Sequence, residues 1–231
     1  MRATPAEVVG RPFPEASTPP TAWVVLPTGA ALVVGSTQPP PRPGEQAVVR
    51  RRSGGGAVLV APTSPLWVEV FVPTGDGLSS RQVDRAAWWL GEAWAEALAA
   101  VGVVGARVHR GGLEGGPWSR AVCFAGLGPG EVTLPARPGP ARAARPSGRP
   151  AGPPGGAGRA GGPKVVGLAQ RRTRAGALFQ CAALLTWDPG PLVRALDLPP
   201  EAEEDLAGVA AGIGGTGDGL LAAFLAALAR R

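Results

Sequence analysis

The segment VVRRRSGGGAV, residues 48–58, sets three arginines, a serine and three consecutive glycines between apolar strand formers. Adjacent glycines are unfavourable inside a helix or a strand, because each loses much backbone entropy on ordering and brings no side chain to pack. The chain must therefore bend here between two extended pieces. A hairpin turn needs one or two glycines at most. The surplus, beside a block of fixed positive charge, predicts a backbone that passes very close to something anionic or carbonyl-bearing.

Strand formers dominate the surroundings. TAWVVLP, AALVVGSTQ, QAVVRRR, AVLVA and LWVEVFVP read as short strands separated by Gly/Pro turns. In the last of these, Leu66, Val68, Val70 and Val72 alternate with Trp67, Glu69 and Phe71, which predicts a strand with two different faces. One long helix follows, LSSRQVDRAAWWLGEAWAEALAAVG, expected to begin at a Ser79 or Ser80 cap and to end at Gly102. Its Trp88, Trp89 and Trp94 are expected to pack in the core. ARVHRGG, SRAVCFAG and GEVTL read as further strands, as do the two halves of PKVVGLAQRRTRAGALFQCAALLTW around an RAG turn. The fold class expected is α+β, a mixed β-sheet flanked by helices.

Residues 133–163 interrupt this pattern with eight prolines, eight glycines and five arginines. Such a composition cannot build a packed core and predicts a flexible insertion. Residues 1–21 read as a disordered N-terminal segment. Residues 22–231 then form a single domain, with short C-terminal helices within 200–231; the 231-residue length suits that organisation.

From Thr133 to Trp187 there are nine basic residues and no acidic one, against a chain total of +6. No helix-turn-helix, finger or aromatic-basic platform accompanies this charge, so nucleic acid is not expected; the first five arginines read as a solvated basic linker, and an acidic protein partner would suit the charge equally well. Two cysteines make no disulfide scaffold, no apolar leader opens the chain, and LLAAFLAALA is too short to cross a bilayer. A cytoplasmic protein with reduced thiols, no membrane contact and no metal site is expected. Lysine and histidine occur once each, as Lys164 and His109.

In order, VVGSTQ, VRRRSGGGAV, VCF, GEV, KVVGLAQRR and GALFQCAALL resemble the lipoate–protein ligase and octanoyltransferase family, whose catalytic domain is shared with biotin ligases. The likeness spans about residues 23–187. It implies that Arg50, Arg51, Ser53, Gly54, Gly55, Gly56, Ala57 and Val58 form the loop cradling an acyl chain and its activated carboxyl. Lys164 and Gly167 fall on K-x-x-G, whose lysine reaches the acyl carbonyl or an adenylate phosphate. Gly35 and Gln38 match a G-x-x-Q turn. The resemblance implies lipoate or octanoate, or an octanoyl carrier protein, as donor. The acceptor would be a lysine of a lipoyl domain of the dehydrogenase E2 or glycine-cleavage H type.

Two routes are open within that resemblance. A ligase uses ATP and Mg2+ to make an acyl-adenylate; a transferase needs neither and passes the acyl group through a cysteine thioester. Cys123, in VCF, stands where the transferase branch has its nucleophile, and a neighbouring cation such as Lys164 would favour the thiolate. A free cysteine in an apolar strand is otherwise a small hydrophobe, which is the role expected of Cys181. Two departures stand out: LVAP occupies residues 59–62 where the family commonly has H-D, and Cys181 replaces the histidine of Q-H-G. They keep a third reading open, a non-catalytic lipoyl- or carrier-binding relative. His109 lies outside these motifs and is expected to be structural.

Overall fold

The computed structural model describes residues 1–42, 46–79, 82–83, 85–136, 162–215 and 217–231. The first half of the chain contributes β1 (Arg2–Ala3), α1 (Pro5–Gly10), β2 (Thr21–Pro27), β3 (Ala31–Val34), β4 (Val48–Arg50), β5 (Val58–Val60), β6 (Leu66–Pro73) and α2 (Trp88–Ala100). The second half contributes β7 (Arg107–Val108), β8 (Val132–Thr133), β9 (Lys164–Arg172), β10 (Gly176–Ala183), α3 (Gly190–Ala195), α4 (Glu201–Ala207) and α5 (Gly217–Leu228). A seven-stranded sheet runs β1-β2-β6-β10-β9-β8-β7, antiparallel except for the β1–β2 pair, and a three-stranded sheet runs β4-β3-β5. The fold is α+β, with a mixed sheet and flanking helices.

The period-two alternation of β6 decides the layering. Leu66, Val68, Val70 and Val72 join Leu90, Trp94 and Leu98 of α2, Phe179 and Cys181 of β10, and Phe224 of α5 in one core. Trp94 stacks on Phe224 at 3.7 Å between ring centroids. Trp67, on the other face of β6, packs with Val33, Val58 and Val60 of the small sheet. Leu32, Val34 and Ala57 turn away from that layer and meet Leu192, Val193, Ala202 and Leu206 of α3 and α4. Both faces of β6 are thus buried, which its polar Glu69 gave no reason to expect.

The cover over Glu69 comes from the N-terminal segment, contrary to the disorder expected for residues 1–21. Thr4 and Glu7 form a reciprocal capping box with Pro5 in the first turn of α1, and Pro5 and Val8 are buried. Arg11 Nη2 lies 2.7 Å from Glu69 Oε2, and Phe13 meets Phe71 edge-on at 5.8 Å. An apolar-and-acidic sheet face needs both an apolar cover and a counter-charge; residues 5–13 bring both.

Other boundaries move for local reasons. The long helix begins at Trp88, with no side-chain cap, because Asp76 Oδ1 accepts the Leu78 N–H and closes an earlier turn; Ser80 lies outside the described residues. SRAVCFAG is no strand: Val122 makes a single bridge to Ala57, and Cys123–Ala125 form a 3₁₀ turn. A third C-terminal helix, α3, is only six residues long, too short for periodicity to betray. Most of the expected 133–163 insertion, residues 137–161, lies outside the described residues. Its flanks are adjacent, Leu134 N–H donating to the Pro163 carbonyl at 2.8 Å.

Gly91 in α2 fixes how closely that helix sits on the sheet. A Cβ there would stand 2.2 Å from the Gly130 carbonyl oxygen. Alanine would improve helix propensity by about 1 kcal/mol, but a backbone oxygen cannot rotate away. Gly91→Ala is therefore expected to lower stability by about 1–3 kcal/mol in urea denaturation; a gain in stability would show that α2 is free to shift.

Candidate functional site

The glycine bend is assembled from inside. Arg50 Nη1 donates to the carbonyls of Gly35 at 2.8 Å and Gln38 at 2.6 Å. Arg51 is buried and donates to the carbonyls of Val33, Gly54 and Gly56 at 3.1, 2.7 and 2.8 Å. Burial pushes the Arg51 pKa down, and its electrostatic interaction with Cys123 opposes that shift. The two guanidinium groups expected at an acyl ligand are thus spent on holding the loop's own carbonyls. Gln38 Nε2 ties the neighbouring turn to the Ala121 carbonyl at 2.9 Å.

The three glycines have different causes. Gly55 has φ +93°, and its carbonyl oxygen would lie 1.9 Å from a Cβ on Gly35. A Cβ on Gly56 would fall 2.7 Å from the backbone of Val122. That close approach lets Ala57 N–H donate to Ala121 and Ala57 O accept from Cys123 N–H, at 2.7 and 2.9 Å. A Cβ on Gly54 would meet nothing within 4 Å. Among the described residues, the N–H groups of Gly54, Gly55 and Gly56 donate to no protein acceptor.

Those glycines border a cleft of about 830 Å³, together with Gln38, Arg120, Cys123, Glu131, Lys164 and Gln170. The triple-glycine bend and the single lysine therefore converge, although more than a hundred positions separate them. A narrow apolar slot shares the Cys123, Leu168 and Ala169 walls of the cleft and runs between Val58, Trp67, Phe124, Gly167 and Ala182, with Arg51 at its side. Of the remaining expected site residues, Gly35, Arg50 and Ala57 support the loop from behind, and Ser53 faces β10, where its Oγ donates to Gln180 Oε1 at 2.9 Å.

Lys164 is 1% exposed. Its Nζ donates to Glu131 Oε2 at 2.7 Å and to the carbonyls of Cys123 and Gly126 at 3.0 and 3.1 Å. These three acceptors match the three N–H groups of an ammonium. The Phe124 ring adds a cation–π contact at 4.9 Å. Gly167 leaves room for both: a Cβ there would come within 3.3 Å of Lys164 Cε and 3.2 Å of Phe124 Cζ. The lysine thus meets the carbonyl of Cys123 and directs none of these bonds to its thiol, so the expected activation of that thiol by Lys164 has no support in the geometry.

Glu131 is the site residue that sequence reasoning missed. It accepts from Lys164 and from Gly128 N–H on Oε2, and from Leu168 N–H on Oε1 at 3.0 Å. Its signal was present in GEV, one buried acidic residue immediately before β8, but nothing local tells which carboxylate a lysine will find. His109 Nε2 lies 2.7 Å from the Gly112 carbonyl oxygen. Cys181 sits in the main core, where burial pushes its thiol up to about 12 against a weaker Trp94 contact. No cluster of three His, Cys, Asp or Glu side chains suited to a metal occurs among the described residues, and no helix there is long and apolar enough to cross a membrane.

A family model described as the lipoyl protein ligase A/B catalytic domain matches residues 32–213. No curated protein matches the chain. Among solved structures, a lipoate-protein ligase A bound with ATP is 16% identical, covering 94% of this chain and 74% of its own, with a TM-score of 0.60. A bipartite lipoate protein ligase with its E2 lipoyl domain, from Thermoplasma acidophilum, is 15% identical over 94% and 72% of the two chains, with a TM-score of 0.62. A T. acidophilum protein with bound lipoic acid is 16% identical over 97% and 77%, also with a TM-score of 0.62. At these identities the likeness is one of fold.

Two outcomes test the site's electrostatics. Glu131→Ala strands a buried ammonium and is expected to cost about 3–5 kcal/mol in urea denaturation; a neutral result would mean that Lys164 readily finds another partner. Iodoacetamide at pH 8 is expected to label Cys123 and to leave Cys181 unmodified in the folded protein, as read by peptide mass. Labelling of Cys181 at a similar rate would contradict its burial.

Proposed function

The chain belongs to the lipoyl protein ligase A/B catalytic domain family, and from that premise we propose that it attaches a lipoyl or octanoyl group to a lysine of a lipoyl-type acceptor domain, activating the acyl carboxylate with ATP. The observation that carries this reading is the convergence of Gly54–Gly56 and Lys164 on one cleft that shares a wall with an apolar slot. The cleft's volume falls in the range of small-molecule sites. The slot's free volume is about 20 Å³, so its walls must part to admit an eight-carbon chain, whose burial would gain about 0.8 kcal/mol per CH2, or roughly 5 kcal/mol in all.

In the first step a carboxylate oxygen of the acyl substrate attacks the α-phosphorus of ATP, and the bond to pyrophosphate breaks. In the second, the neutral amine of the acceptor lysine attacks the acyl carbon, the carbon–oxygen bond to AMP breaks, and the nitrogen releases its proton to solvent. Negative charge grows on oxygens that the Gly54–Gly56 N–H groups can reach without reorganisation, because Arg50 and Arg51 already hold the loop. Lys164 contributes by exchanging one carbonyl partner for a phosphate or acyl oxygen while Glu131 keeps its ammonium in place. Mg2+ would enter on the nucleotide's phosphates, with Glu114 as the exposed carboxylate on the cleft wall.

One observation favours a second route. Cys123 stands on the wall common to slot and cleft. There its thiolate would attack the thioester carbonyl of an acyl carrier, expel the carrier thiol, and hand the acyl group to the acceptor lysine.

Lipoate-dependent exchange of label between pyrophosphate and ATP separates the routes. The ligase reading expects exchange, reduced about 10²–10³-fold by Lys164→Ala. Octanoyl mass on Cys123 from an octanoyl carrier without ATP would replace it with the transferase reading; lipoate binding with neither activity would replace both with a binding relative. Gly54→Ala meets no protein atom, so it is expected to hold stability within about 0.5 kcal/mol and to weaken acyl substrate binding about tenfold. Unchanged binding would remove Gly54 from the site.

A further inference from the structure

A line of buried and half-buried polar groups joins the N-terminal segment to the glycine bend. Arg11 Nη2 is 2.7 Å from Glu69 Oε2. Glu69 Oε1 accepts from Gln180 Nε2 at 2.8 Å. Gln180 Oε1 accepts from Ser53 Oγ at 2.9 Å. Glu69 and Ser53 are 1% and 4% exposed, so water is a poor substitute for either partner. A small cavity bordered by Arg11, Ser53, Glu69, Arg171 and Gln180 marks where these groups meet.

The line has a direction set by its charged end. A carboxylate facing a guanidinium only accepts, so it commands the amide N–H of Gln180 and turns the amide oxygen toward Ser53. Ser53 must then give its hydroxyl hydrogen to Gln180, and its oxygen offers only lone pairs elsewhere. Ser53 also holds the start of the bend, since its carbonyl accepts from Ser36 N–H at 2.9 Å. The next residue is Gly54, the glycine that faces open space.

We propose that Arg11 is a positioning residue for the glycine loop, acting through Glu69 and Gln180 on Ser53, so that residues 5–13 hold the loop's geometry from beside it, on the same face of β6. The proposal rests on the reading that this loop receives the acyl headgroup, but its physical content, order in the loop, is measurable without substrate. The rest of the segment serves the same placement. The Arg11 guanidinium stacks over Trp23 at 4.8 Å, and Phe13 lies between Phe71 and the Arg171 guanidinium, the latter at 4.9 Å.

The test compares wild type with Arg11→Met, Arg11→Lys, Glu69→Gln, Ser53→Ala and the double Arg11→Met/Ser53→Ala, after thermal melts establish folding. Amide hydrogen exchange at Ser36 and Ala57, whose N–H groups donate to the carbonyls of Ser53 and Ala121, is the first readout. It is expected to quicken about tenfold in Arg11→Met and to stay within about threefold of wild type in Arg11→Lys. Ser53→Ala is expected to be as fast as Arg11→Met, and the double variant no faster. Glu69→Gln keeps the shape while releasing the amide direction, and carries the same expectation should Arg11→Met not fold. Unchanged exchange in a folded Arg11→Met or Glu69→Gln variant, or multiplying effects in the double variant, would overturn the proposal. Calorimetric titration with lipoic acid is the second readout: affinity is expected to fall about tenfold in Arg11→Met and to recover in Arg11→Lys. Wild type that binds no lipoic acid would sink the functional reading while the exchange result still decided the positioning role.

Discussion

A buried ammonium dictates much of this protein's architecture. Lys164 loses its hydration on folding, and an uncompensated charge there would be prohibitive. Glu131 and the carbonyls of Cys123 and Gly126 supply three acceptors for its three N–H groups. Satisfying them requires the Cys123–Ala125 turn to present its carbonyls inward, and Glu131 to be pinned by two backbone N–H groups of its own. That same turn is anchored to the glycine bend through Ala57. The lysine, the turn and the bend are therefore one mechanical unit, and the cleft is the space they enclose.

The glycine bend shows how internal packing and ligand access divide a motif. Gly55 and Gly56 answer to contacts with Gly35 and Val122, which a methyl group would occupy. Gly54 answers to nothing in the protein. A motif that looks uniform along the chain thus contains two structural glycines and one that keeps the approach to the cleft open. Arg50 and Arg51 divide the labour in the same way, spending their charge on carbonyls so that the N–H groups on the other side stay available. The loop can then meet an anionic or carbonyl-bearing group with preformed donors, the condition for stabilising charge without reorganisation.

The outer face of β6 explains why the N-terminus is ordered. A strand buried on both sides with a carboxylate in its middle needs an apolar cover and a cation at one place, and residues 5–13 carry Val8, Arg11 and Phe13 at a spacing that meets Trp67, Glu69 and Phe71. Local signals for this were weak: a six-residue helix and a proline-rich stretch after it offer little intrinsic stability. Their order comes from the sheet they cover.

Most of the strands, the body of the long helix, the α+β class and the family motifs were legible from the sequence, because alternation, β-branching and glycine punctuation are local consequences of backbone geometry and side-chain size. Local reading also singled out Gly54–Gly56 and Lys164, which the fold brings to one cleft, and assigned Cys181 to the core. What it could not decide was pairing. That Lys164 finds Glu131, that Arg50 and Arg51 turn inward to carbonyls, that Cys123 ends in a turn, and that Arg11 meets Glu69 across 58 positions all depend on which groups are desolvated together. That is fixed only when the sheets stack and each buried polar atom must find a partner among whatever the fold brings within reach.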